Sequence, residues 1–251
     1  MKKLFLIIMI TILNGCQTTG SVGGYNFGRA GISDSDWNLR FYDNCGFGNN
    51  LKIMNENNNK FYRFTLKNKD VGRCRSDRQA RHGAPFWERA ELKSTIGFTS
   101  PNKFYELTFD VRIVKGFTGD RETFWQLHAG SKHCKTSPIL MLKFSSDQLV
   151  LNVSNYGNIR ASEIMGKWNK VRVVFDTSDF STYSVYFNNY AIETDMAYGL
   201  STCAIPYFKF GIYRPGVKEG KNDTSVVDFD KFQLREINKP STEQNVKPTT
   251  N

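Results

Sequence analysis

The stretch KFYELTFDVRIV, residues 103–114, alternates apolar and polar side chains with a period of two. Tyr105, Leu107, Phe109, Val111 and Ile113 fall on one side, and Glu106, Asp110 and Arg112 on the other. An amphipathic helix would instead repeat its apolar positions every three and four residues. The pattern therefore calls for a strand with one face on a core and one face outward. It recurs along the chain. Residues 139–155 read as two strands joined at Ser145-Ser146-Asp147. Residues 171–178 and 183–193 follow, the second folding back at Asn188-Asn189, and residues 225–237 supply a last strand. Asn-Asn is a pair suited to a tight hairpin turn. No stretch reads as a strong helix, and no internal repeat is visible. Many short strands with closely spaced turns predict an all-β fold, a β-jelly roll or concanavalin-like β-sandwich, as a single domain over residues 35–237. With 251 residues, 39% of them hydrophobic, the chain is long enough to bury such a core.

The two ends read differently. Lys2 and Lys3 precede an apolar run from Leu4 to Leu13, too short to span a membrane and typical of a secretory signal. The ending Leu13-Asn14-Gly15-Cys16 resembles a bacterial lipobox. Residues 1–15 are then a signal peptide, Cys16 the lipidated first residue, and residues 16–34 a tether rich in Gly, Ser and Thr. A plain signal peptide cleaved nearby is the alternative, and both export the protein. The expected location is the bacterial cell envelope, lipid-anchored at the outer membrane or cell surface, or else secreted or periplasmic. Residues 238–251 lack apolar periodicity and are expected to be a disordered tail. In an oxidising compartment the four remaining cysteines are expected to pair, with Cys45–Cys74 and Cys134–Cys203 as the nearest-neighbour choice. None lies in a CxxC spacing, so no metal site is expected among them, and a structural calcium is left open without a site. A formal charge of +10, about +8 without Lys2 and Lys3, favours a polyanionic partner. Nothing resembles a nucleic-acid module. For an exported protein an acidic polysaccharide ranks first.

Three strands carry an outward face unlike ordinary solvated filler. In WERAELKS, Arg89, Glu91 and Lys93 share a side opposite Ala90 and Leu92. In FWQLHAG, Gln126 and His128 lie opposite Trp125 and Leu127. In YFKFGIYRPG, Tyr207, Lys209, Gly211 and Tyr213 lie opposite Phe208, Phe210 and Ile212. With the apolar faces inward, the three strands line a groove of the kind a polymer needs. This set suits β-elimination on a uronate. Arginine and glutamine neutralise the carboxylate, which acidifies the C5 proton. Histidine or a deprotonated tyrosine removes that proton, and a phenol protonates the leaving O4. Lys209 supplies charge, and Gly211 is expected to leave room for a sugar ring.

The segments RAEL, QLH and YFKFGIY, in that order, resemble three motifs of the jelly-roll polysaccharide lyases. Alginate lyases with R-x-E-L, Q-[IV]-H and Y-F-K-x-G-x-Y strands are the clearest counterpart. Glucuronan lyases and heparin lyase I share the layout, and GIYR is similar to the latter. The resemblance spans Arg89 to Arg214. It implies that Arg89 and Gln126 neutralise the carboxylate. It makes His128 the base or a second neutraliser, and Tyr213 the acid or both acid and base. Tyrosine alone serves when the proton and the leaving oxygen lie on one side of the sugar, and histidine is the base when they lie on opposite sides. Arg214 and Pro215 stand where alginate lyases commonly carry Asn and Gln, so the polymer is left open.

Further substrate contacts are expected from Lys209, Tyr207, Glu91, Lys93, Arg78, Arg81, His82 and Arg214. Glu91 is expected to pair with Arg89 or Lys93 and fix the arginine. Tyr207 has a second reading as a strand-end aromatic, and the arginines of GRCRSDRQAR as a solvated loop. Trp87 and Trp125 are assigned to the core, and His133 to a structural role. The expected protein is a monomer that uses no cofactor. The rival reading is a non-catalytic, lectin-like binding lipoprotein, which needs aromatic platforms but no acid and base. A glycoside hydrolase would need paired carboxylates. Asp228 and Asp230 alternate but have no third partner.

Overall fold

The computed structural model describes residues 21–22, 25–26, 41–43, 45, 50–94, 102–128, 138–151, 154–177, 182–197, 207–216 and 224–239. Cys16 and the signal segment, His133, Cys134, Cys203 and residues 240–251 lie outside them, as does nearly all of the tether. The described chain is almost entirely strand. A small hairpin, β1 (Ser21–Val22) and β2 (Tyr25–Asn26), stands by itself. Then come β3 (Phe41–Asp43), β4 (Leu51–Glu56), β5 (Asn59–Leu66) and β6 (Trp87–Ser94). They are followed by β7 (Phe104–Lys115), β8 (Glu122–His128), β9 (Leu140–Ser145), β10 (Gln148–Leu151) and β11 (Ser154–Arg160). Last are β12 (Asn169–Asp176), β13 (Thr182–Phe187), β14 (Tyr190–Ala197), β15 (Tyr207–Pro215) and β16 (Ser225–Ile237). The one α-helix among the described residues is a single turn, Ala161–Ile164.

Two antiparallel sheets of seven strands stack face to face, in the orders β11-β10-β9-β8-β15-β6-β3 and β14-β13-β12-β7-β16-β5-β4. This is the β-jelly roll sandwich that the alternation predicts. The apolar parity of each strand fills the space between the sheets, as in Leu107, Phe109, Val111 and Ile113 of β7 and Phe208, Phe210 and Ile212 of β15, all buried. Aromatic rings bridge the layers. Phe109 stacks on Trp125 at 5.8 Å, and Phe210 meets Phe232 at 4.4 Å. Burying one such ring stabilises the fold by about 1.5–3 kcal/mol.

Two-residue turns set the hairpins. Asn188-Asn189, Ser146-Asp147 and Asn57-Asn58 all take positive φ at both positions, between 49° and 70°. That geometry matches the twist of paired strands and favours Asn and Asp. Alternation fails at one place that matters. The β8–β9 register shifts between Thr123 and Trp125, so that Phe124 and Trp125 are both buried. Phe124 stacks on Phe144 at 5.7 Å instead of facing outward.

Candidate active site

The three strands with polar faces are neighbours, with β15 between β8 and β6. Their register brings the chosen side chains together. Tyr213 is opposite Arg89, Gly211 opposite Glu91, and Lys209 opposite Lys93. On the other side Lys209 is opposite Gln126, and Tyr207 opposite His128. Yet these outward groups are not open to water: exposure is 5% for Arg89, 2% for Gln126, 6% for His128 and 7% for Tyr213. Polar side chains on a bare sheet would be far more exposed, so these are packed against one another and their neighbours as a floor on this face of the sheet.

A chain of hydrogen bonds runs across that floor. Glu91, fully buried, accepts from Arg89 Nη1 through Oε2 and from Gln126 Nε2 through Oε1. Gln126 thereby turns its carbonyl oxygen toward His128, whose Nε2 lies 2.9 Å away. This amide accepts, so Nε2 carries the proton and Nδ1 the lone pair. The other edge of Arg89 is held by Asp77, with Nε to Oδ2 at 2.9 Å and Nη2 to Oδ1 at 2.7 Å. Burial works against the Arg89 charge, but Glu91 and Asp77 outweigh it and hold the guanidinium above its usual range. Asp77 has no counterpart in the sequence reading. It lies among the arginines of the 3₁₀ turn Arg75–Arg78, where an acid reads as one more solvated charge.

Tyr213 sits in a stack. Its ring lies 4.0 Å from Arg89 Cζ on one side and 4.9 Å from Trp87 on the other. Arg81 covers Trp87 at 4.5 Å. Trp87 therefore belongs to the site and not to the main core. It forms a separate cluster with Ala84 and Tyr213, which corrects its core assignment. Its parity with Arg89, Glu91 and Lys93 was the available signal. Trp125 does lie in the core. His82, exposed, approaches Trp87 edge-on at 6.3 Å, and its carbonyl accepts from Arg121. Arg78 is exposed on the same turn as Asp77.

At the opposite end, His128 stacks on Tyr207 at 5.2 Å, and Lys93 Nζ lies 3.9 Å over the Tyr207 ring. Tyr207 is thus more than a strand-end aromatic. Burial, then the charges of Lys209, Arg89 and Lys93, push His128 down to about 2, so its imidazole is neutral at any physiological pH. Burial lowers Lys209 to about 8, with Glu91 opposing and Arg89 and Lys93 adding to the shift.

Two expectations are overturned. Gly211 does not clear space for a sugar. It has φ of 134°, and a Cβ there would stand 2.1 Å from the carbonyl oxygen of Ala90, so it serves the close approach of β15 to β6 at a bulge. Arg214 does not face the floor either. It is buried on the reverse side, where its Nε donates to Glu88 at 2.7 Å and its Nη1 to Ser225 at 2.7 Å. Asp228 and Asp230 lie in the other sheet, Asp228 bound to Arg63 and Arg112 and Asp230 to Asn59.

Cys45 and Cys74 form a disulfide, the pairing expected for them. Among the described residues, one cluster gathers three potential metal ligands: Cys45, Cys74 and Asp77. With both sulfurs in the bridge and Asp77 bound to Arg89, it does not fit an ion.

A guanidinium, an amide, an imidazole and a phenol thus stand on adjacent strands of one jelly-roll sheet. The sequence from residue 49 to residue 233 matches the polysaccharide lyase family, and the chain belongs to it. It is a polysaccharide lyase. No curated protein matches the chain. Among solved structures it is similar to an endo-β-1,4-glucuronan lyase from the fungus Trichoderma reesei, at 13% identity and TM-score 0.54, covering 81% of this chain and 92% of that one. It is also similar to an alginate lyase from Pseudomonas aeruginosa, at 17% identity and TM-score 0.52, over 70% and 83%. A third is the family 7 alginate lyase A1-II′, with a histidine and a tyrosine replaced, in complex with substrate, at 12% identity and TM-score 0.51, over 76% and 93%.

Proposed function

We propose that the protein cleaves a uronic-acid-containing polysaccharide by β-elimination, with the floor of β6, β8 and β15 as its active site. One observation carries this reading. Arg89, Gln126, His128 and Tyr213, drawn from three strands, are joined in one contact chain through Glu91 and the Arg89–Tyr213 stack. Arg89 and the amide of Gln126 neutralise the uronate carboxylate, and charge developing toward C5 is stabilised there. The phenolate of Tyr213 takes the C5 proton, the C4=C5 double bond forms as the C4–O4 bond breaks, and the phenol returns that proton to O4. Nothing else is consumed, and one product carries an unsaturated uronate end. Assigning both steps to Tyr213 follows from His128, which at about 2 is a weak proton acceptor. His128 then stays neutral and fixes the Gln126 amide through its Nε2–H.

The solved neighbours act on alginate and glucuronan, and one was captured with its substrate after a histidine and a tyrosine were replaced. These polymers head the substrate list. The signal segment belongs to the same reading: an exported enzyme, lipid-anchored at Cys16, meets such polymers outside the cell. The Cys45–Cys74 bridge supports an oxidising compartment.

The test is to incubate the protein with alginate, glucuronan, heparin, heparan sulfate and hyaluronan and follow the ultraviolet absorbance of unsaturated ends. Cleavage of at least one is expected. Tyr213→Phe is expected to lose about 10²–10⁴-fold in kcat, and His128→Gln clearly less. Binding without cleavage on every polymer would return the lectin-like reading. Equal losses in the two variants would restore His128 as the base.

A further inference from the structure

Arg89 is held more firmly than its charge requires. Glu91 alone would balance it, yet Asp77 grips its other edge through two nearly parallel hydrogen bonds of 2.9 and 2.7 Å. A two-pronged grip of this kind fixes the direction of a guanidinium as well as its charge. Asp77 has no exposed surface and comes from outside the sheet. Its turn is fastened from two sides. Toward β6, Gly72 N donates to the Trp87 carbonyl at 3.2 Å, and Val71 bridges to Glu88. A side chain at Gly72 would begin 2.1 Å from Asp77 Oδ2, so the carboxylate fills the space this glycine leaves. Toward β3, Asp77 N donates to the Cys74 carbonyl at 3.0 Å, Cys74 is bonded to Cys45, and Arg73 N donates to the Cys45 carbonyl at 2.6 Å. The chemistry proposed above uses none of these groups directly.

We propose that Asp77 is the positioning residue that aims Arg89 at the substrate carboxylate, and that the Cys45–Cys74 disulfide holds Asp77 in register, so that turnover depends on this bridge. The inference rests on the role given to Arg89. Losing the bridge frees the turn, Asp77 withdraws, and Arg89 keeps its charge and its bond to Glu91 but loses its direction. A misaimed electrophile weakens the transition state more than the complex, so the loss falls on kcat.

The experiment is a double-mutant cycle on the polymer cleaved in the assay above, with thermal melts of every variant. Its members are Asp77→Asn, the pair Cys45→Ser with Cys74→Ser, and the combination. Serine variants leave Cys134 and Cys203 untouched, which a reductant would not. Asp77→Asn is expected to lower kcat about 100-fold with KM changed less than about threefold. The serine pair is expected to lower kcat about tenfold, and the combination to be no worse than Asp77→Asn alone, because both act through one contact. Asp77→Glu, which keeps the charge, is expected to recover part of the loss. Multiplied losses in the combination, or a kcat for Asp77→Asn within about threefold of the parent, would overturn the proposal. If Asp77→Asn has no cooperative melt, Asp77→Glu takes its place in the cycle under the same criteria. Arg89→Ala separates the two readings. If it retains turnover, the proposed chemistry fails; if it is inactive while Asp77→Asn is not, only this inference fails.

Discussion

Lys209 carries the clearest pH signature at the scale of single residues. Burial lowers its ammonium to about 8 in the free protein, while a bound carboxylate favours the charged form. The sign follows. Below about 8 the group is charged and ready for a polyanion; above it the charge is lost, so KM rises as pH rises through about 8. Lys209→Met is expected to raise KM at neutral pH and to flatten that rise. An unchanged KM–pH curve in the variant would remove Lys209 from binding. Arginine, glutamine, histidine and tyrosine were legible from strand parity and from three short motifs. Asp77 was not, because its partner lies twelve positions away on another element and no periodicity links a 3₁₀ turn to a strand face. Arg214 misled for the opposite reason. Beside Tyr213 in sequence, it points to the reverse side, where Glu88 and Ser225 take it up.

Among the elements, β15 is the most constrained. It pairs with β6 in unbroken register from Lys209 to Pro215 but with β8 only through a shift between Phe210 and Tyr213. Gly211 absorbs that difference. Gly211→Ala combines a positive φ with an overlap on the Ala90 carbonyl, and is expected to cost about 2–4 kcal/mol. A urea midpoint within error of the parent would show that the bulge relaxes freely. Strand existence was readable because the apolar parity is uninterrupted over β7 and β15, and in β16 it holds on either side of the shift between Asp230 and Gln233, from Val227 and Phe229 to Phe232 and Leu234. The bulges were not, since an extra residue in a strand leaves the alternation on either side intact and reverses only its phase. Phe124 and Trp125, consecutive and both buried, are where that phase reverses.

For the molecule as a whole, the excess of basic residues acts at long range on a polyanion. Raising ionic strength from about 0.05 to about 0.5 M is expected to raise KM several-fold and leave kcat nearly unchanged, since buried floor contacts are screened little. A KM indifferent to salt would mean that the net charge plays no part in capture. The sandwich was foreseeable from twofold periodicity alone, but the order of strands within each sheet was not. Pairings between distant segments leave no local trace, and it is these pairings that build the floor.

The placement of β15 between β8 and β6, and of β16 between β7 and β5, also has a consequence in time. Both sheets keep an open seam at their middle until residues 207–237 arrive, and the seam in one sheet runs through the candidate site. Arg89 and Gln126 can be in place earlier, but Tyr213 comes only with the strand that fills the gap. A chain that still lacks β15 therefore lacks the phenol on which the proposed chemistry depends. The candidate site is thus completed in one late, non-local step, of the kind that folds slowly.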